Sequence, residues 1–178
     1  MKTLLHTCCA PCSIKCVEQL RQEDIEPVLF WYNPNIHPFT EYRERRDTLI
    51  RYADEIDAEL VLRDEYGLRS FLCGVYPAFE NRCEYCYHTR LEAAAQYAAQ
   101  NGYQSFSSTL LISPYQNHEL ICKIALEMAQ KYLVDFLHRD FRLLFREGQA
   151  YARNAGLYMQ KYCGCIFSEE DRYQKSKK

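Results

Sequence analysis

Short apolar runs that suit buried strands alternate along this chain with longer segments of helical spacing. The strand-like runs lie at residues 3–6, 27–32, 59–62, 106–112 and 133–137. Helices are predicted over residues 13–23, 40–56, 84–100 and 143–154, and over a segment capped by Asn117. Strands that alternate with helices at this spacing pair in parallel. We therefore expect an α/β fold, with one Rossmann-like parallel sheet of about five strands and helices on both faces.

Unusual polar and thiol residues follow the predicted strands at their carboxyl ends. They are Cys8, Cys9 and Cys12 after the first strand, Asn33, Asn35 and His37 after the second, Tyr115 and Gln116 after the fourth, and Asp140 and Arg142 after the fifth. In open parallel sheets, ligands bind outside the carboxyl ends of the strands. This edge is the predicted functional site.

Seven of the ten cysteines fall into three tight groups. The groups are Cys8, Cys9 and Cys12, then Cys83 and Cys86, then Cys163 and Cys165. The N-terminus is too quickly polar for a secretory signal, and no apolar stretch is long enough for a membrane span. We expect a cytoplasmic protein, in which clustered cysteines more often bind metal or do redox chemistry than form structural disulfides. Four cysteines complete a zinc site or an iron–sulfur cluster, so the surplus indicates a second metal or a dithiol redox pair.

The positions of the cysteines along the chain do not decide between a metal centre and a redox pair. Cys83 and Cys86 lie one turn apart at a predicted helix start, where the helix dipole is expected to lower their pKa. Cys16, Cys73 and Cys122 are interpreted as small core residues. A structural zinc site and a metal-free dithiol oxidoreductase both remain compatible with these spacings.

Charge and length say less about function. The net charge of −2 does not indicate nucleic-acid binding, and the local basic runs at residues 43–46 and 139–146 are interpreted as solvated helix faces. The fifteen tyrosines suit semi-polar pockets and base stacking. We expect one domain over residues 1–172 and a disordered basic tail over residues 173–178.

Six motifs in order resemble the QueH family of epoxyqueuosine reductases. They are HTCCAPC at 6–12, YNPNIHP at 32–38, RCEYCY at 82–87, STLLISPYQ at 108–116, DFR at 140–142 and LYMQKYCGC at 157–165. The resemblance runs over nearly the whole chain. It implies an adenine-nucleotide-hydrolase-like fold and the last step of queuosine synthesis, in which epoxyqueuosine at the wobble position of tRNA is reduced to queuosine.

The resemblance also implies cofactors and partners. They are a [4Fe-4S] cluster, a neighbouring mononuclear metal (iron, with zinc as the alternative), tRNA and an unidentified low-potential electron donor, without cobalamin. ATP use is not expected, because the cysteine turn stands where ATP-using relatives of this fold carry a glycine-serine loop. The non-reductase alternatives are the metal-free dithiol oxidoreductase and a zinc-stabilised tRNA-binding module.

Roles for individual residues follow from the resemblance together with the required chemistry. Cys8, Cys9, Cys83 and Cys86 are the predicted core metal ligands, while Cys12, Cys163 and Cys165 serve the second metal or a redox pair. The predicted proton donor is Asp140, Tyr115 or a metal-bound water. Predicted substrate contacts are Tyr32, Asn33, Asn35, Arg82, Gln116 and Arg142, with Tyr85 and Tyr87 as further stacking partners and Arg43, Arg46 and Arg139 as further phosphate contacts.

Overall fold

A five-stranded parallel sheet forms the centre of the computed structural model, which describes residues 2–174. Residues 175–178 of the expected basic tail lie outside this range. The strands are β1 (Lys2–His6), β2 (Glu26–Trp31), β3 (Leu60–Leu62), β4 (Ser105–Ser108) and β5 (Asp135–Phe136), in the order β3-β2-β1-β4-β5. After β1, the chain adds β2 and then β3 on one side of it. It later adds β4 and then β5 on the other side. The carboxyl ends of β1 and β4 therefore flank the crevice where this fold class binds ligands.

Seven helices connect and cover the strands in the described residues. They are α1 (Ala10–Gln22), α2 (Phe39–Glu55), α3 (Leu68–Val75), α4 (Arg82–Gln100), α5 (His118–Tyr132), α6 (Phe145–Asn154) and α7 (Ile166–Tyr173). Helices α3 and α7 were not predicted, because each has only eight residues, too few for helical spacing to stand out in the sequence. The predicted cap of α5 is confirmed, since Asn117 Oδ1 accepts a hydrogen bond from the Leu120 amide at 3.1 Å.

The fourth strand is shorter than its apolar run predicts. It ends at Ser108, and Thr109–Ile112 forms a 3-10 turn whose start is capped by the Ser108 hydroxyl, which accepts from the Leu110 amide at 3.1 Å. An apolar run shows burial without distinguishing a strand from a buried turn. The turn matters for the site, because it brings Thr109 beside Cys8.

The core lies on both faces of β1 and β2, where Leu4, Leu5 and Leu29 are fully buried. Cys16 also lies in this core, as predicted. The same interpretation is wrong for Cys73, which is exposed on α3, because that short helix presents one face to solvent. None of the helices within residues 2–174 combines the length and the apolar character needed to cross a membrane.

Candidate active site

The first thiol group consists of Cys8, Cys9 and Cys12 at the junction of β1 and α1. Strand β1 leads directly into the turn, Cys9 is the N-cap residue of α1, and Cys12 lies in its first turn. The three Sγ atoms all lie within 4.8 Å of one another. Thr109 Oγ1 donates to Cys8 Sγ at 3.3 Å, and Gln160 Nε2 donates to Cys9 Sγ at 3.0 Å. Local chain geometry therefore assembles three thiols at the predicted sheet edge.

Only one thiol of this group ionises readily. The pKa of Cys8 lies well below its ordinary value, because the thiols of Cys12 and Cys9 and the hydroxyl of Thr109 donate to its sulfur. Burial raises the pKa of Cys9, and the interaction with Cys8 raises that of Cys12. Three thiolates this close repel one another, so full ionisation requires an additional cation among them.

The second thiol group consists of Cys83, Cys86, Cys163 and Cys165. It is looser than the first, since no three of these Sγ atoms within residues 2–174 lie within 4.8 Å of one another. Cys86 and Cys165 are buried in one small apolar cluster with Phe71 and Val75. Burial, together with the charges of Cys163 and Cys165, raises the pKa of Cys86 to about 12 and also raises that of Cys83. The predicted lowering by the helix start is therefore wrong, because desolvation outweighs the dipole here.

Residues from the β2–α2 connection hold the loop that carries Cys163. The His37 amide donates to Gly164 O at 2.8 Å, and Tyr162 donates its hydroxyl proton to His37 O at 2.6 Å. Arg45 Nη1 donates to Cys163 O at 2.8 Å. Gly164 has a φ of +153°, a conformation that L side chains rarely adopt. The loop is thus fixed by backbone contacts, which leave its thiols available for binding.

Two buried arginines accompany the thiol groups. Arg90 is 2% exposed and donates to Cys86 Sγ at 3.1 Å, and its charge lowers the pKa of the Cys8 thiol. Arg45 is also 2% exposed and pairs with Glu41 at 2.7 Å. Arg45 was not among the predicted site residues, although its spacing from the buried Tyr42 and Leu49 places it on the inner face of α2. Buried cations stabilise nearby thiolates, and an anionic thiolate–metal centre would in turn compensate these cations.

The thiol groups open into a cleft of about 410 Å³. Its lining comprises Cys8, Cys12, Arg45, Arg90, Thr109, Leu110, Ser113, Tyr115, Gln116, Phe145, Gln149, Gln160, Lys161, Tyr162, Cys163 and Arg172. Four of these side chains are cationic, and none of those from the described chain is acidic. The cleft therefore suits an anionic ligand despite the negative net charge of the protein.

The donor set fits a thiolate-bound metal centre. Besides the thiols, three buried amide oxygens have no hydrogen-bond partner within residues 2–174: Asn33 Oδ1, Asn35 Oδ1 and Gln160 Oε1. Gln160 also donates to Cys9 Sγ, so its unpaired oxygen lies beside the first thiol group. Unpaired buried acceptors are costly unless a ligand or water satisfies them. Soft sulfur donors are typical ligands of iron–sulfur clusters and zinc.

The other residues predicted for the site divide into two sets. Tyr115 and Gln116 line the cleft, and Gln116 Nε2 donates to Cys163 Sγ at 3.1 Å. Within residues 2–174, the side chains that line the cleft do not include Asp140, Arg142, Arg82 or Tyr32. Their contacts are the Arg142–Asp140 pair at 2.6 Å, the Arg82–Asp171 pair at 2.6 Å and the Arg63 guanidinium over the Tyr32 ring at 4.1 Å.

The histidines near the strand ends are hydrogen-bonded packing residues. His6 Nδ1 lies 3.0 Å from Ser108 Oγ, and burial lowers its pKa to about 3. His37 Nδ1 accepts from the Ile166 amide at 3.3 Å, so its proton is on Nε2, which donates to Pro34 O at 3.0 Å. Burial lowers the pKa of His37 to about 4. Protonation of His37 would therefore break the contact that anchors the start of α7.

His37 makes folding sensitive to mild acid. Its folded pKa of about 4 lies below the ordinary value of 6.5, so the unfolded chain binds more protons between these pH values. The contribution of His37 to the free energy of unfolding is fully present above pH 6.5 and decreases as the pH falls toward 4. We expect His37 to account for a loss of about 2 kcal/mol between pH 7 and pH 5. In urea unfolding, the difference in the free energy of unfolding between pH 7 and pH 5 should be smaller by that amount for His37→Gln than for the unmodified protein. The control His88→Gln, at a more exposed site, should retain the full difference.

Comparisons with known proteins agree with this geometry. A model of the family described as epoxyqueuosine reductase QueH matches residues 3–171. Proteins named epoxyqueuosine reductase QueH from Dehalococcoides mccartyi and Thermotoga maritima are each 35% identical, over 98% and 97% of this chain and 96% and 92% of theirs. The protein of that name from Acinetobacter baylyi is 36% identical over 96% of this chain and 81% of its own.

A solved structure supports the fold. The crystal structure of a predicted subunit of a tRNA methyltransferase from Methanocaldococcus jannaschii matches with a TM-score of 0.56 and 11% identity, covering 85% of this chain and 74% of that one. The predicted Rossmann-like α/β fold, with one parallel sheet of five strands, is confirmed. The family model and the relatives extend over nearly the whole chain, including all three cysteine groups. The chain therefore belongs to the epoxyqueuosine reductase QueH family.

Proposed function

We propose that this chain reduces epoxyqueuosine to queuosine at the wobble position of tRNA. The observation that carries this proposal is the cationic cleft that both thiol groups enter, in a chain of the reductase family. The reaction consumes two electrons and two protons. Both carbon–oxygen bonds of the epoxide break, a carbon–carbon double bond forms, and the oxygen leaves as water.

We assign a metal centre to each thiol group. The four thiols of the second group (Cys83, Cys86, Cys163 and Cys165) match the ligand number of a [4Fe-4S] cluster. The three thiols of the first group leave a position open on a mononuclear metal, iron or zinc. This division differs from the expectation that Cys8, Cys9, Cys83 and Cys86 share one centre, and it is based on the 4.8 Å grouping of the first three sulfurs. When bound, such groups would supply low-potential electrons and a Lewis acid.

The side chains of the cleft have distinct roles in this proposal. Tyr115 lines the cleft and is 85% exposed, so its hydroxyl is accessible to donate a proton to the departing oxygen. Gln116 accepts a hydrogen bond from the Tyr87 hydroxyl and donates one to Cys163 Sγ, so it fixes the side of the cleft that would face the substrate. Asp140 is a weaker proton donor, because its hydrogen bonds with Arg142 hold its pKa well below the ordinary value and keep it ionised.

Two cations of the cleft are accessible for tRNA phosphates. Lys161 and Arg172 are exposed, whereas Arg45 and Arg90 are buried. We expect Lys161→Ala and Arg172→Ala each to weaken tRNA binding and to reduce the slope of log affinity against log salt by about one. Fluorescence anisotropy with anticodon-loop RNA across a salt series measures this slope. Lys123→Ala, on α5 and outside the cleft lining, is the control, and an unchanged slope in both test variants would remove these residues from the interface.

The remaining parts of the proposal concern partners and location. The turn that holds Cys8, Cys9 and Cys12 replaces the phosphate-binding loop of ATP-using proteins with this fold, so no ATP is consumed. A separate low-potential donor supplies the electrons, and the reaction takes place in the cytoplasm, where mature tRNA is found.

Anaerobic purification followed by metal analysis and a tRNA assay tests the function. We expect an absorption band near roughly 400 nm, about four iron and four sulfide per chain for the cluster, and one further metal. With a chemical reductant, the loaded protein should convert epoxyqueuosine to queuosine in tRNA, as measured by mass spectrometry of nucleosides. Colourless protein that holds only zinc after reconstitution and converts no substrate would contradict the proposal and favour a zinc-stabilised tRNA-binding module.

A further inference from the structure

A second group of metal-binding side chains lies outside the thiol cleft. His118 begins α5, Cys122 lies one turn later, and His138 follows β5. One ligand atom from each lies within 4.8 Å of the other two, and Cys122 Sγ is 3.7 Å from His118 Nδ1. A tetrahedral zinc ion with ordinary bond lengths places its nitrogen and sulfur ligands about 3.6 Å apart. The three side chains, which we call the α5 site, thus have the spacing of a partly assembled coordination shell.

A carboxylate stands behind the first histidine of the α5 site. Asp140 Oδ1 lies 3.9 Å from His118 Nε2, and Arg142 holds this carboxylate in place through two hydrogen bonds of 2.8 and 2.6 Å. His118 Nε2 is buried and has no hydrogen-bond partner within residues 2–174. Histidines that bind metals usually donate their other ring N–H to a carboxylate or carbonyl. His118 is therefore oriented with Nδ1 toward the sulfur and Nε2 toward the carboxylate.

A simple hydrogen bond between His118 and Cys122 does not account for the whole arrangement. Such a pair requires no third member, yet the His138 ring packs at 5.4 Å from that of His118 with an interplanar angle of 74°. His138 is exposed and arrives from a different part of the chain. Two imidazoles and one thiol form a ligand set that suits zinc and similar divalent ions and disfavours magnesium or calcium.

We propose that the α5 site binds a zinc-class divalent metal ion through His118 Nδ1, Cys122 Sγ and a ring nitrogen of His138, with water as the fourth ligand. Asp140 is a positioning residue that fixes the His118 ring. The ion would join the start of α5 to the loop after β5, next to the segment that carries Tyr115 and Gln116. This site is separate from the two thiol groups, so the proposal holds whether or not the assigned reaction is correct.

Zinc titration of the anaerobic, iron-loaded protein tests the α5 site, with zinc and iron counted after gel filtration. We expect the unmodified protein to bind one more zinc per chain than His138→Ala, at equal iron content. Because His138 is exposed, this substitution should leave the fold intact, and Cys122→Ser should give the same loss of zinc. Asp140→Asn should weaken zinc binding by about 10- to 100-fold while preserving the stoichiometry.

The matched controls are His88→Ala and Cys73→Ser, which remove a histidine and a cysteine from other helices. Both should bind as much zinc as the unmodified protein. Equal zinc content in the unmodified protein and His138→Ala would overturn the proposal, as would an equal loss in His88→Ala. The readout is metal content rather than turnover, so its failure is distinguishable from failure of the reductase assignment.

Discussion

Replacing Cys9 with serine is expected to lower reductase activity by more than about 100-fold, the upper end of losses seen when groups that merely support a metal ligand are changed. Cys9 is buried between Cys8 and Cys12, and Gln160 donates to its sulfur at 3.0 Å. Serine preserves the shape of the side chain, but its hydroxyl is a far weaker ligand for soft metals than a thiolate. We therefore expect the loss of one metal from the first thiol group without loss of the fold.

The matched control for this substitution is Cys16→Ala. Cys16 lies on the same helix, one turn after Cys12, and is fully buried in the core with its thiol donating to Cys12 O. Its loss should cost stability, on the order of 1 kcal/mol, and leave metal content unchanged. Iron and sulfide analysis together with the epoxyqueuosine assay compares the two variants. Full metal content and activity in Cys9→Ser would contradict the assignment of the first thiol group.

Replacing Arg90 with methionine is expected to weaken iron binding by about 10- to 100-fold. Arg90 is buried and donates to both the sulfur and the carbonyl oxygen of Cys86. Its charge opposes the burial that raises the pKa of Cys86 to about 12, so its removal raises that pKa further. Because metal binding displaces thiol protons, affinity increases with pH, and the variant should need a higher pH than the unmodified protein for equal loading.

Arg82→Met is the control on the same helix. Arg82 pairs with Asp171 at the surface, and its side chain is 27% exposed. Burial raises the pKa of Cys83 and the Arg82 charge opposes this, but Arg82 donates to no sulfur within residues 2–174, so we expect a smaller loss of iron affinity than for Arg90→Met. Chelator competition at several pH values provides the measurement. A shift in the pH dependence that is equal in the two variants would show that Arg90 has no special role.

The sequence was sufficient for the sheet and for the edge that holds the site. Short apolar runs that are bounded by a turn, such as residues 27–32, indicate strands buried on both faces, and the carboxyl ends of strands in a parallel sheet share one edge. The end of β4 at Ser108 could not be predicted, because the apolar run continues through a turn whose shape depends on tertiary packing. Helix α7 could not be predicted either, because it is short and mostly polar.

In the site, too, features that depend on local sequence were predictable, and features that depend on distant contacts were not. The cysteine groups were identified because thiols are rare and their spacing is local. Arg45 was missed because its role depends on contacts with Tyr162 and Cys163, more than a hundred residues away in sequence. Asp140 was predicted from its position after a strand and Tyr32 as a residue that stacks on the substrate base, but the direction in which such a side chain points depends on partners such as Arg142 and Arg63. The proton-donor role of Asp140 stays a prediction.

The loop of Cys163 and Cys165 has a consequence for how the enzyme matures. Its backbone is held by Arg45, 118 residues earlier in the chain, and by His37. During synthesis, Cys83 and Cys86 leave the ribosome long before Cys163 and Cys165. The second thiol group therefore comes into existence only after Cys165 has been synthesised, and metal delivery to the complete group has to follow that point of translation. Chains interrupted before Tyr162 would expose two thiols without a site to complete, which makes them targets for oxidation rather than cofactor insertion.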